Sequence, residues 1–158
     1  MDVISPRFML PFSVTYKKYT LNFKKPAGTS RGFLRAKSVY FIHLTDRADL
    51  ECIGIGECAP WKGLSLDDRP DFEVQLARVC QQLNRGQAPE SLALSDFPAI
   101  AFGLEMALLD WRGGGKRRLF ENDFSLGKRS LPTHGLIWMG NSSNALQQVQ
   151  RKVEQGFT

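Results

Sequence analysis

Cysteine and histidine are scarce in this chain of 158 residues, with three of the first and two of the second. Cys52, Cys58 and Cys80 are odd in number and show no C-x-x-C spacing. That excludes a closed disulfide framework and the usual zinc and redox arrangements, and leaves reduced, buried thiols as the expected state. Only His43 and His134 can serve as histidine bases, and no serine or cysteine sits in a nucleophile motif, so a Ser–His or Cys–His catalyst finds no support. Long apolar runs are missing as well. The stretch from Phe97 to Trp111 is too short to span a bilayer and contains Glu105 and Asp110. The start, Met1-Asp2-Val3-Ile4-Ser5-Pro6, lacks a basic region followed by an apolar core, so it does not read as a secretory signal. A cytoplasmic address is expected, and the glycosylation pattern at Asn141-Ser142-Ser143 is a chance match.

Charge of one sign is not gathered anywhere. The net charge is +5, but the basic clusters at Lys17-Lys18, Lys24-Lys25, Lys116-Arg117-Arg118 and Lys128-Arg129 are separated by acidic stretches and do not alternate with aromatics. Neither a nucleic-acid footprint nor a membrane-binding face follows. What is present is an ordinary globular composition, 42% hydrophobic and 23% charged, at a length that suits one domain or slightly more. A domain of about 150 residues buries about 70% of its unfolded surface and needs neither disulfide nor metal to hold it.

Three β segments come first. Ser13–Phe23 has strand character with a break near Lys17-Lys18, the breaker-rich Lys25–Gly32 is expected to be a loop, and Leu34–Thr45 is strand again. In that second segment Val39, Phe41 and His43 alternate with Tyr40, Ile42 and Leu44. A turn over Asp46–Asp49 leads to Glu51–Glu57, which completes an antiparallel meander thinned by its glycines. After the loop Cys58–Ser65 the period changes. Phe72, Leu76, Val79, Cys80 and Leu83 outline an amphipathic helix that Gly86 ends. Ser95 or Asp96 is placed to cap a second helix through Ile100, Leu104, Ala107 and Trp111, apolar almost all round and so expected to be buried on several sides. Gly113-Gly114-Gly115 stops it. Leu131–Met139 predicts a short apolar strand, and Gly140-Asn141-Ser142-Ser143 a turn with an N-cap for a helix through Ala145, Leu146, Val149 and Val153 that Gly156 ends. The fold class is therefore α+β, followed by one βα unit whose parallel strand lacks neighbours.

The glycine motifs fail on context. Gly54-Ile-Gly56-Glu-Cys-Ala59 fits a loose dinucleotide fingerprint, but Glu57 would stand where pyrophosphate should sit and no helix follows. Gly113–Lys116 ends a helix instead of opening one, and Arg117 replaces the Ser or Thr of a phosphate loop. Glu105 is expected to be an internal hydrogen-bond or ion-pair anchor, since a buried carboxylate needs a partner. His43 suits a core or edge position better than catalysis. His134 begins the last strand, where a side chain can point into a barrel mouth, but a structural role is favoured there too. Two loops leaving the sheet, Gly28–Gly32 and Ala59–Ser65, can act as substrate lids or as plain connections.

Gly54-Ile-Gly-Glu-Cys-Ala-Pro60, Ala101-Phe-Gly-Leu-Glu-Met-Ala-Leu-Leu-Asp110 and Pro132-Thr-His-Gly-Leu-Ile-Trp-Met-Gly140 together resemble the enolase superfamily, in its muconate-lactonizing and o-succinylbenzoate synthase branch. The similarity runs from about Tyr16 to Thr158. It implies an enolase-like capping domain over residues 1–131 and the first βα unit of a TIM-type barrel over 132–158, with the barrel otherwise missing. In such enzymes a barrel lysine removes a proton α to a carboxylate, magnesium held by acidic strand ends stabilises the enediolate, and water is then eliminated from a cyclohexadiene carboxylate in menaquinone biosynthesis. The magnesium ligands and catalytic residues would lie beyond Thr158, so no catalytic and no metal residue is assigned here. His134 stands where related sequences more often carry asparagine. The cap loops are expected to supply Thr29, Ser30 and Arg31 as polar contacts and Trp61 and Leu64 as apolar ones to a small-molecule carboxylate substrate. A dipeptide epimerase or muconate cycloisomerase on the same scaffold is the alternative enzyme, and a non-catalytic interaction module without a barrel the alternative of another class. The unpaired strand leaves disorder, repacking on the cap, or self-association open.

Overall fold

A computed structural model describes residues 9–29 and 32–157. The elements run β1 (Phe12–Thr29), β2 (Gly32–Asp46), β3 (Ile53–Cys58), α1 (Phe72–Asn84), a single 3₁₀ turn (Pro89–Ser91), α2 (Pro98–Arg112) and α3 (Ser142–Glu154). The sheet order is β1-β2-β3. β2 and β3 are antiparallel, in a register that sets Tyr40 opposite Cys58 and Thr45 opposite Ile53. Two sequence expectations need correcting here. β1 continues through Lys17-Lys18 without a break, and the predicted loop Lys25–Gly32 is strand as far as Thr29 and again from Gly32. Pairing with a neighbouring strand outweighs the weak local preference of Pro26, Ala27 and Gly28, because strand propensity depends on context.

The chain divides into two compact units, one of Met1–Thr20 with Ser38–Phe120 and the other of Leu21–Lys37 with Glu121–Thr158. In the first, strand alternation turns Tyr40, Ile42 and Leu44 inward onto α1 and α2, leaving Phe41, His43 and Thr45 only half-buried on the other face. Leu76, Val79 and Leu83 of α1 and Ile100, Leu104 and Ala107 of α2 meet them with Phe12 and Val14 of β1. Each large apolar side chain so buried contributes about 1.5–3 kcal/mol of transfer free energy. The end of α1 follows the sequence pattern. Gly86, at φ +91°, ends α1, a left-handed conformation that glycine adopts without strain.

α2 departs from expectation. It packs directly on β3, and its buried residues are Ile100, Gly103, Leu104, Ala107 and Asp110. Phe102 is 58% exposed and Glu105 is exposed too, so the helix is covered on one face and not all round. The anchoring carboxylate is Asp110, not Glu105. Gly54, Gly56 and Gly103 explain the close approach. A methyl on Gly54 would overlap the Ala107 carbonyl, one on Gly56 the Gly103 carbonyl, and one on Gly103 the Cys58 thiol. The G-x-G spacing that fails as a nucleotide fingerprint is thus a seat for a helix backbone.

In the second unit α3 forms as predicted. The Asn141 side chain accepts the Asn144 N–H at 2.9 Å, and Gly156 at φ +86° follows the helix. Leu131–Met139, however, pairs with no strand among the described residues. Without a neighbour the ladder bonds go elsewhere. The Gln148 amide accepts the Trp138 N–H at 2.7 Å and donates to the Trp138 carbonyl at 3.0 Å, which imitates an adjoining strand. Asn84 does the same for Val14 on β1, at 2.8 and 2.7 Å. Gln148→Ala should therefore speed amide hydrogen exchange at Trp138 while leaving α1 and α2 unchanged. Equal protection at Trp138 in both proteins would show that the amide does not hold the segment.

Candidate functional site

The second predicted loop is ordered by its own hydrogen bonds. Trp61 accepts at its carbonyl from the N–H groups of Leu64 (3.0 Å) and Ser65 (2.9 Å), while its N–H donates to Ser65 Oγ at 2.7 Å. Gly63 sits at φ +72°, where a side chain would be strained, and donates to Asp68 Oδ2 at 2.7 Å. Trp61 and Leu64 thus share one turn, with Trp61 half-buried and Leu64 62% exposed. Next to the turn an open cleft of about 490 Å³ is lined by Glu57, Ser65, Leu66, Asp67, Pro98 and Phe102, among others. Neither Trp61 nor Leu64 lines it.

Asp67 was not among the expected residues and is the polar centre of this loop. Its side chain is fully buried, and Oδ2 accepts the Ala99 N–H at 2.7 Å. It caps α2 from a distance, doing the work expected of Ser95 or Asp96, and no side chain next to the helix caps it. Nothing in the local sequence distinguishes Asp67 from Asp68, since the bond spans the loop between two elements. Burial raises the Cys58 thiol to about 12 and the Cys80 thiol to about 11; for Cys58 the neighbouring Cys80, Asp67 and Glu57 add to the effect. Neither is a reactive thiolate. His43 is held below the ordinary histidine range by partial burial first, then by Arg117 and Lys17, and it sits half-buried on the face of β2 away from the helices.

Of the first-loop residues, Thr29 is the last of β1, and Ser30 and Arg31 lie outside the described residues. The adjoining hairpin belongs to the same compact unit as the segment ending at Met139. His134 is exposed. Among the described residues no group of three or more His, Cys, Asp or Glu is placed to hold a metal ion. These residues do not fit a magnesium site. No helix among them is long and apolar enough to cross a membrane.

Comparison with known proteins places this arrangement. The family model described as "MenC, N-terminal domain" matches residues 13–111, more than half of the chain. An o-succinylbenzoate synthase of Desulfotalea psychrophila is 32% identical over 182 residues, covering 94% of this chain and 48% of the relative. The chain therefore spans about half the length of that curated relative. Among solved structures, o-succinylbenzoate synthase from Thermosynechococcus elongatus, complexed with magnesium in its active site, superposes with a TM-score of 0.60 at 24% identity, over 92% of this chain and 41% of that one. An enolase family member from Agrobacterium tumefaciens with homology to dipeptide epimerases gives a TM-score of 0.64 at 18% identity, over 91% and 44%. At these identities the likeness to solved structures is one of fold.

Proposed function

The chain belongs to the MenC N-terminal domain family, and we propose that it forms the cap and the first βα unit of an o-succinylbenzoate synthase-like lyase. The observation that carries this reading is the 32% identity to an o-succinylbenzoate synthase across 94% of the chain. The reaction is the dehydration of a cyclohexadiene carboxylate to o-succinylbenzoate, a step of menaquinone synthesis in the cytoplasm. It needs a base and a cation to meet the charge that develops on the carboxylate. A barrel would supply both, with magnesium as the cation.

The cap's part is recognition. Leu64 stands 62% exposed on a turn fixed by Gly63 and Asp68, so it and Trp61 offer apolar surface at little further entropic cost. Thr29, Ser30 and Arg31 are proposed as the polar counterpart for a small carboxylate substrate, with Arg31 as the charge partner. A dipeptide epimerase is the second reading, since the fold is shared with the Agrobacterium tumefaciens protein and fold alone does not set the reaction.

The test joins this chain to the barrel half of the Desulfotalea psychrophila relative. The chain alone should show no dehydration, and the joined protein should dehydrate the cyclohexadiene substrate. Arg31→Ala in the joined protein should raise KM about tenfold, as loss of one charge-assisted hydrogen bond implies. Turnover by the chain alone, or an unchanged kcat/KM in Arg31→Ala, would contradict the assignment.

A further inference from the structure

Resting on the proposed function, we infer that Gly28 is a positioning residue: its missing side chain lets the β1–β2 hairpin sit on the Met139 carbonyl, at the end of the segment that opens the barrel. A methyl built on Gly28 would lie 3.1 Å from the Met139 oxygen and 3.5 Å from the Phe33 ring. The first distance is closer than a carbon normally approaches a carbonyl oxygen. Next to Gly28, Ala27 is only 4% exposed although it lies near the hairpin's end.

Two observations make the seat rigid on the Met139 side. Immediately before it, both backbone polar groups of Trp138 are held by Gln148 at 2.7 and 3.0 Å. Just after it, Asn141 Oδ1 accepts from the Asn144 N–H at 2.9 Å and from the Ser143 hydroxyl at 3.0 Å, fixing the start of α3. Gly140 between them has its own crowding, since a methyl there would lie 2.9 Å from Asn144 Nδ2. The carbonyl is thus pinned on both flanks, and a side chain at position 28 displaces the hairpin instead.

The choice of glycine is not a matter of backbone conformation. Gly28 is absent from the positions with positive φ, which include Gly32 at +121°, and it lies inside β1, where a β-branched residue is favoured. Valine at position 28 should therefore suit the strand and fail only at the seat. In TIM-type barrels the reacting groups gather at the carbonyl ends of the strands. In the proposed enzyme the Met139 carbonyl would stand at such an end, so lifting the hairpin from it should alter substrate binding before it alters chemistry.

Gly28→Val and Gly28→Ala are compared with the parent in two assays. In the 158-residue chain, Gly28→Val should speed hydrogen exchange across Leu21–Lys37 without changing exchange in α1 and α2, and Gly28→Ala should do so less. In the chain joined to the relative's barrel half, Gly28→Val should raise KM about tenfold with kcat held within about twofold. Exchange that is unchanged in Gly28→Val, or an unchanged KM in an active joined protein, overturns the inference. A joined parent that dehydrates nothing refutes the proposed function instead, and the exchange assay still decides the seat.

Discussion

Gly56→Ala should unfold the first unit at markedly lower temperature. The added methyl would fall on the Gly103 carbonyl and within 2.7 Å of the Ala107 nitrogen. These are backbone atoms in the middle of a helix and cannot rotate away, so α2 must shift as a body or β3 must bend. Overpacking of this kind costs about 1–3 kcal/mol and more where the backbone is the obstacle. Against a total stability of about 5–15 kcal/mol, a loss of about 3 kcal/mol is severe, and it corresponds to a fall in Tm of roughly 6–12 °C. Ile55→Ala, on the half-buried face between the two glycines, is the control and should cost less. A Gly56→Ala protein melting within about 2 °C of the parent would mean that α2 does not rest on the β3 backbone.

Asp110→Ala should be comparably damaging for a different reason. The buried carboxylate accepts the Ile55 N–H at 2.9 Å and the Arg117 N–H at 2.6 Å, and it pairs with the Arg117 guanidinium. Arg117 also donates to the Ile53 carbonyl at 2.6 Å, so one carboxylate ties β3, the C-terminal end of α2 and the following turn together. Its removal strands two backbone donors and takes from Arg117, at φ +60°, the carboxylate contacts that help offset its strained backbone, leaving the guanidinium only the Ile53 and Gly115 carbonyls. A partly buried donor left unpaired costs about 1–3 kcal/mol. The guanidinium is half exposed and can turn to water, which limits the charge penalty. A loss of about 3 kcal/mol is expected, and a smaller one in Asp110→Asn, which keeps one acceptor. Equal stability in all three proteins would remove Asp110 from the role assigned to it.

Periodicity made α1, the alternation of β2 and the capped start of α3 legible, since each depends on residues close together in the chain. Contacts across the fold were not legible. Glu105 and Asp110 are both acidic residues in an apolar helix. Which of them turns inward depends on where β3 lies, and β3 lies against the side that carries Gly103 and Ala107. Asp67 capping α2, Asn84 covering the edge of β1 and Gln148 substituting for a strand are likewise long-range bonds without a local signature. Residues 25–29, expected as part of a loop from their Pro and Gly, are strand because a partner strand was available. Leu131–Met139, expected as strand from its apolar residues, pairs with no strand among the described residues, where no partner strand adjoins it. As for the candidate site, the segment that carries Trp61 and Leu64 was legible as a loop leaving the sheet, but the cleft beside it was not, since its lining comes from three separate elements.

The most direct measurement is the substrate preference of the chain joined to the barrel half of the Desulfotalea psychrophila relative, assayed with the cyclohexadiene carboxylate and with Ala-Glu dipeptides under the same conditions. An o-succinylbenzoate synthase cap predicts a kcat/KM for dehydration at least about a hundredfold above that for epimerisation, a difference of about 2.7 kcal/mol in transition-state binding. Faster epimerisation of the dipeptide, or no dehydration by a folded joined protein, would contradict it.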